Sequence, residues 1–264
     1  MSAAFISVQD VTLRYRPHGD VEGTLAVESL NLQVSEGEFV AVVGPSGCGK
    51  STLMKLATGL QFPTAGSVHI EGTPVSGPVS MAGIAFQNPV MLPWRTTAQN
   101  VLLPMEIVQP HRRAIRTKRQ EYRDRAEALL TSVGLEGAGE KYPWQLSGGM
   151  QQRASLCRAL IHEPRLLMLD EPFGALDAFT REELWCVMRD LQAQKGFTTV
   201  LVTHDLREAV FLADRIFVMS ARPGRILTVR DVGLVRPRDL EVLYEPAFVE
   251  IVHELRGHIA EARK

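Results

Sequence analysis

The residues of this 264-residue chain whose types and spacing could do chemistry fall into three groups. The first is the run Gly44-Pro45-Ser46-Gly47-Cys48-Gly49-Lys50-Ser51-Thr52. Its glycines let the backbone turn tightly and aim successive N–H groups inward, as an anion nest does. A helix starting near Gly49 adds the positive end of its dipole. Lys50 supplies a cation for β- and γ-phosphates, and the Ser51 hydroxyl is a candidate Mg²⁺ ligand. This loop points to nucleotide phosphate without separating a kinase from a GTPase or a motor ATPase. The second group closes the apolar run Leu166-Leu-Met-Leu with Asp170 and Glu171. An acid at such a strand edge can hold Mg²⁺, and its neighbour can polarise a water. The third is Leu146-Ser147-Gly148-Gly149-Met-Gln-Gln-Arg153. Ser147 reads as a helix N-cap, and the two glycines bare the first N–H groups as a second anion-binding helix start. A capped helix whose glycines only ease a turn is the alternative.

Three single residues stay open at this level. Tyr15 ends a strand-like run and precedes a turn-rich loop. It reads first as a strand-end core aromatic, with stacking on a base as the alternative. Gln87 follows Gly83-Ile-Ala-Phe and precedes Asn88-Pro89. It is either an ordinary polar strand end or a carbonyl ligand for Mg²⁺. His204 lies just past the apolar run Thr198-Thr-Val-Leu-Val202; it is either a structural histidine or one placed where an open α/β sheet binds its ligands.

The elements that must position these residues are legible in the periodicity. Phe39–Val43, Leu166–Asp170 and Thr198–Val202 are short continuous apolar runs, as strands buried on both faces are. Residues 5–15 and 30–34 alternate, so the first forty residues read as antiparallel, with Glu36-Gly37 as a hairpin turn into Phe39. Further β-like pieces lie at Val68–Ile70 and Arg215–Met219, with Pro223-Gly224 as a turn. Thr96 or Thr97 caps a helix that Pro104 interrupts. The stretch 111–125 carries Arg112, Arg113, Arg116, Lys118, Arg119, Arg123 and Arg125, and reads as one solvated helix running on to a stop at Gly134. Met91-Leu-Pro-Trp94 is an apolar loop cluster, either a satellite core or a docking surface. After Pro246, the apolar residues Phe248, Ile251, Val252, Leu255 and Ile259 mark an amphipathic helix that packs.

Composition narrows the class. The chain is 45% hydrophobic with a formal net charge of −1, so it has material for a core and no global basic field for nucleic acid. No apolar run reaches the roughly 18 residues of a membrane span, and no signal-peptide layout opens the chain. The three cysteines, Cys48, Cys157 and Cys186, make neither a disulfide framework nor a zinc pattern, which suits a reducing cytosol.

In this order, the phosphate loop, the Leu146–Arg153 signature, the acidic strand end, Ala175-Leu-Asp177 and His204 resemble the ATP-binding subunit of an ABC transporter over nearly the whole chain. The resemblance implies an α/β fold: a P-loop NTPase core with an antiparallel β subdomain and an inserted α-helical subdomain. It puts the ATPase domain at 1–235, the helical subdomain at about 90–162 and a helical tail at 236–264. It implies ATP and Mg²⁺ as cofactors. Tyr15 would stack on adenine, and Gly44 to Thr52 would wrap the phosphates. Ser51, Gln87 and Asp170 would serve the metal. Glu171, His204 and Gln87 would serve hydrolysis. Ser147, Gly148 and Gly149 would reach the γ-phosphate of a nucleotide held by a partner copy. Met150 departs from the commonest signature, which has Gln there, and leaves Ser147 and Gly149 in place.

The stretches Met91-Leu-Pro-Trp-Arg-Thr96, Asp170-Glu-Pro-Phe-Gly-Ala-Leu-Asp177 and Ser220-Ala-Arg-Pro-Gly-Arg225 look like the bacterial nitrate, sulfonate and taurine importer group. That resemblance implies a head-to-tail homodimer on integral membrane permease subunits at the cytoplasmic face of the inner membrane. A periplasmic or extracellular solute-binding protein would be an indirect partner, and nucleic acid none. About thirty residues come after the last expected strand pair, too few for an added regulatory β-domain. The alternative is a soluble ABC-type ATPase outside transport. Such proteins carry coiled-coil insertions, tandem cassettes or zinc modules, and this sequence has none of them.

Overall fold

A computed structural model describes residues 4–15 and 23–262. In chain order the elements are β1 (Ile6–Tyr15), β2 (Thr24–Val34), β3 (Phe39–Val43), α1 (Lys50–Ala57), β4 (Ala65–Ile70), β5 (Thr73–Pro74), β6 (Ala82–Ala85), α2 (Thr97–Val101), α3 (His111–Ala114), α4 (Arg119–Ser132), α5 (Gly148–Leu160), β7 (Leu166–Asp170), α6 (Ala178–Lys195), β8 (Thr198–Val202), α7 (Leu206–Leu212), β9 (Arg215–Met219), β10 (Ile226–Asp231) and α8 (Pro246–Glu261). They gather into two compact units, one formed by Met1–Val79 with Gly196–Lys264, the other by Ser80–Lys195.

In the first unit, β2-β1-β4-β5 form an antiparallel sheet, in which β1 pairs with β2 and with β4. Beside it β3 pairs in parallel with both β8 and β9, and β10 adds antiparallel to β9. Every residue of β3 and β8 is buried, so their unbroken apolar runs are what a strand covered on both faces requires. The helix α7 packs on β3, and α8 packs on α7 and β9. Phe248, Ile251 and Leu255, spaced three and four apart, form the buried stripe of α8. Burying each is worth about 1.5–3 kcal/mol, which holds a helix that would be marginal alone. Buried Arg238 donates from Nη1 to the carbonyls of Val210, Phe211 and Ala213 at 3.0, 2.9 and 2.7 Å, capping the C-terminal end of α7. Burial, with Arg236 adding to it, pushes this guanidinium down to about 10, still charged at neutral pH.

In the second unit β6 and β7 pair in parallel, with Ala85 opposite Leu169. Helices α2, α4 and α5 pack on one another, and α5 also packs on β6. Thr96 caps α2 in a reciprocal capping box with Gln99.

Two expectations are corrected. Glu36-Gly37 is not a hairpin turn, because β2 and β3 belong to different sheets. The turn carries the chain from one sheet to the other, and Gly37 donates to the Thr198 hydroxyl at 2.9 Å. The basic stretch is not one helix either: it breaks into α3 and α4 around residues 115–118. Arg112, Arg116 and Arg119 would stack like charges at helical spacing. The chain tightens into a turn there: Thr117 N and its hydroxyl both donate to the Ala114 carbonyl at 3.1 Å, beside the Lys118 N bond to the same carbonyl at 2.9 Å.

Candidate functional site

The first unit presents the phosphate-loop residues. β3 ends at Val43, and Gly44 to Gly49 turn the chain into α1. Gly47 and Gly49 sit at φ 74° and 104°, the left-handed region. At Gly49 a Cβ would also lie 2.6 Å from Val27 Cγ1, so a side chain is excluded twice over. No side chain caps α1, and its first residue to bond back into the helix is Leu53, whose N–H reaches Gly49 O at 2.9 Å. The N–H groups of Lys50, Ser51 and Thr52 therefore face the loop without helical partners. Lys50 is 7% exposed, and its Nζ donates to the carbonyls of Gly44 and Pro45 at 2.9 and 3.0 Å. Ser51 is exposed at the mouth of this concavity. Tyr15, half-buried, holds its hydroxyl 3.3 Å from Thr52 Oγ1. Cys48 is fully buried with Sγ 3.8 Å from Lys50 Nζ. Burial pushes its thiol up, and the Lys50 charge works against that.

His204 leaves the sheet at the same end as this loop. β3 and β8 run parallel with Val42 opposite Val202, and Thr203 N donates to Val42 O at 3.2 Å. His204 is exposed, and Asp205 then caps α7 by accepting from the N–H groups of Arg207 and Glu208 at 2.9 and 3.3 Å.

Sequence reasoning missed a support for the loop. Ser220–Arg225 packs beneath it. Gly224 N donates to Ala26 O at 2.9 Å, Glu28 N donates to Gly224 O at 3.1 Å, and Arg222 Nε donates to Gly47 O at 3.3 Å. A Cβ on Gly224 would stand 2.0 Å from the carbonyl oxygen of Cys48. In the sequence this stretch serves only as a marker of subtype. The signal within it is Gly224, a glycine needed for close approach.

The second unit carries the remaining residues. β7 ends at Asp170, which is 7% exposed, and Glu171 is half-buried next to it. Since Ala85 lies opposite Leu169, Gln87 and Glu171 leave their strands two residues later at matching positions, and Gln87 Nε2 donates to Glu171 Oε2 at 2.9 Å. Glu171 adopts φ 47°, a left-handed conformation that costs a non-glycine residue about 1–3 kcal/mol. Ser147 caps α5, accepting from Met150 N at 3.3 Å, and is exposed together with Gly148. A Cβ on Gly148 would meet nothing within 4 Å, whereas one on Gly149 would press on Leu176 Cδ2 at 3.0 Å. Gly148 thus leaves the helix start open to a ligand, and Gly149 answers to packing.

Sequence reasoning also missed how α5 is tied to the Gln87 loop. Arg158 donates to the carbonyls of Pro89 and Val90 at 2.8 and 2.9 Å, and Gln152 donates to Phe86 O at 3.4 Å. Burial lowers the Arg158 guanidinium, and the two carbonyls take up its charge. One face of α5 therefore fixes the Gln87 loop while its N-terminus carries Ser147.

These residues fit a nucleotide phosphate. A buried ammonium and a row of uncapped N–H groups form a positive hole that a polyanion fills. No group of three or more His, Cys, Asp and Glu side chains that could hold a metal occurs among the described residues. A Mg²⁺ ion that takes most of its ligands from water and phosphate needs no such group.

Comparisons with known proteins agree with this chemistry. A family model described as ABC transporter matches residues 27–174. The aliphatic sulfonates import ATP-binding protein SsuB of Bacillus licheniformis is 45% identical over 215 residues, covering 81% of this chain and 80% of that one. The taurine import ATP-binding protein TauB of Yersinia pestis is 42% identical over 208 residues, 79% of each chain. Among solved structures, a dimeric post-hydrolysis state of the ATP-binding cassette MJ0796 bound to ADP and Pi matches with a TM-score of 0.75 at 30% identity, covering 87% of this chain and all (100%) of that one.

Proposed function

Because the chain belongs to the ABC transporter family, we propose that it is the ATP-hydrolysing subunit of an importer for a sulfonate, taurine, nitrate or a similar small solute. The observation that carries this reading is the Lys50 ammonium, buried in a glycine-built loop whose helix start is uncapped. Such a hole stabilises a polyphosphate. The identity to sulfonate and taurine import proteins supports the importer class.

The chain's own residues divide the work. The Lys50 ammonium and the N–H groups of Lys50, Ser51 and Thr52 at the start of α1 bind and neutralise the β- and γ-phosphates. Tyr15 offers its ring face to the adenine. Ser51, Asp170 and Gln87 would hold Mg²⁺, which would supply positive charge to offset the charge that develops on the phosphoryl group. Glu171 orients the attacking water and takes its proton, with Gln87 holding the carboxylate by the 2.9 Å bond. His204 steadies the γ-phosphate. Ser147, Gly148 and Gly149 bind the γ-phosphate of a nucleotide held by a second copy, so that ATP closes a head-to-tail dimer and hydrolysis releases it. The MJ0796 cassette, solved as a dimer, supports that assembly.

Permease subunits receive the motion, and the protein lies peripherally on the cytoplasmic face of the membrane. No helix among the described residues is long and apolar enough to cross it. Within the second unit, Arg158 and Gln152 link the Ser147 helix to the Gln87 loop, so a movement of one carries the other.

The test is Lys50→Ala, assayed for MgATP binding and turnover. Removing the cation should abolish hydrolysis and sharply weaken ATP binding. Near-normal affinity and turnover would overturn the reading.

A further inference from the structure

One exposed feature of the second unit has no part in the chemistry above. Tyr142 and Trp144 stack with ring centroids 4.6 Å apart and planes 10° from parallel, and Trp144 is 66% exposed. One face of the indole lies on Tyr142 and the rest of it faces solvent. The pair is held rigidly. Gln145 Oε1 accepts from Tyr142 N at 2.8 Å, and Gln151 of α5 donates to the carbonyls of Pro143 and Leu146 at 3.0 and 3.3 Å. The platform is therefore built onto the first turns of α5, three residues before Ser147.

We propose that Trp144, backed by Tyr142, stacks on the base of a nucleotide held by a second copy of this chain. The inference rests on the head-to-tail dimer proposed above. A nucleotide carries a polyanion at one end and a flat aromatic base at the other. The start of α5 offers the N–H groups of Gly148 and Gly149, which the Ser147 cap does not use, and the platform beside it offers a π face. Three residues span at most about 10 Å of backbone, and the indole adds its own length. One ligand can meet both features. An exposed, pre-ordered aromatic is also what base stacking uses, because little side-chain freedom is left to lose. Trp144, Ser147 and Gly148 are all exposed within five residues, so a partner copy that closes on Ser147 and Gly148 meets Trp144 as well.

Stacking on a base shifts affinity by about 5- to 150-fold. In a Glu171→Gln background, Trp144→Ala should raise the MgATP concentration for half-maximal dimer by at least about 5-fold on size-exclusion chromatography, and Trp144→Phe by less. In a Ser147→Arg variant, which cannot close the dimer, Trp144→Ala should leave ATP affinity unchanged. The emission difference between the Glu171→Gln protein and its Trp144→Phe form isolates Trp144; it should change on ATP-driven dimerisation and stay constant in the Ser147→Arg variant. A dimer that forms with Trp144 emission unchanged, or at the same MgATP concentration without the indole, overturns this proposal alone. An equal loss of ATP affinity in the Ser147→Arg variant also overturns it, since Trp144 then acts on its own chain's nucleotide. Absence of any dimer in the Glu171→Gln parent overturns the dimer reading and this proposal with it.

Discussion

Gly224→Ala tests whether the loop beneath the phosphate-binding residues sets their position. The added Cβ would stand 2.0 Å from Cys48 O and 2.7 Å from Met219 Cε, against the 3.0 Å below which such contacts essentially never occur. Met219 can swing its methyl aside, but the Cys48 carbonyl belongs to the loop that wraps phosphate. Relief therefore requires one backbone to move by about 1 Å. Two hydrogen bonds tie Gly224 to Ala26 and Glu28, so the strain passes to the phosphate loop or breaks that bridge. A misplacement of ~1 Å can cost on the order of 10²-fold in rate, and overpacking costs about 1–3 kcal/mol of stability. The expected result is a folded protein with kcat/KM for MgATP down about 100-fold and a Tm lower by several degrees. Gly257→Ala is the control. It lies in α8 with nothing within 4 Å of its Cβ, so it should keep wild-type kinetics and gain about 0.5–1 kcal/mol from helix propensity. A folded Gly224→Ala protein with wild-type kcat/KM and nucleotide affinity would refute the reasoning.

Cysteine labelling and pH dependence give two more expected outcomes. Cys48 is buried with its thiol pushed up, and Cys157 is buried with its thiol pushed up to about 12, so maleimide should label half-buried Cys186 first; slow labelling of Cys48 should then abolish ATPase activity and be slowed by ATP, and full activity after complete Cys48 labelling in a protein lacking the other two cysteines contradicts this. Burial lowers the His162 imidazole, with the charges of His111 and Arg125 adding to it. The unfolded chain then binds the proton first, so the stability due to neutral His162 is present above about pH 6.5 and is lost as pH falls below it, by at most ~1.4 kcal/mol per pH unit. Urea midpoints should show His162→Leu gaining on the parent between pH 7 and 5; a constant difference across that range would sink the idea.

What the sequence made legible was local. Gly49, Lys50 and Ser51 are adjacent, Ser147 caps the helix it precedes, and Asp170 closes the apolar run it ends. Each could be read from neighbours because one turn or one cap determines its geometry. The contacts that hold these pieces in place were not legible. Arg158 reaches Pro89 across 69 residues, Gln152 reaches Phe86 across 66, and Arg222 reaches Gly47 across 175. Nothing in the periodicity of either partner marks such a pair. The Glu36-Gly37 turn misled for a related reason: a turn between two strands looks the same whether they pair or part. The basic stretch misled because a run of cations is compatible with a helix on one solvated face, while like charges at helical spacing also weigh against one unbroken helix.

In the proposed mechanism Glu171 acts as the base while Ser147 reaches across a closed dimer, and hydrolysis and assembly both depend on that step. Glu171→Gln keeps the side-chain shape and an oxygen that accepts from Gln87, and removes the basicity. Loss of a general base should lower turnover by about 10²–10⁴ while MgATP still binds. The protein should then elute from a size-exclusion column as a dimer in MgATP and as a monomer in MgADP, and Ser147→Arg should abolish that dimer while sparing ATP binding. Wild-type turnover by Glu171→Gln, or a monomer at saturating MgATP, would contradict the proposed mechanism.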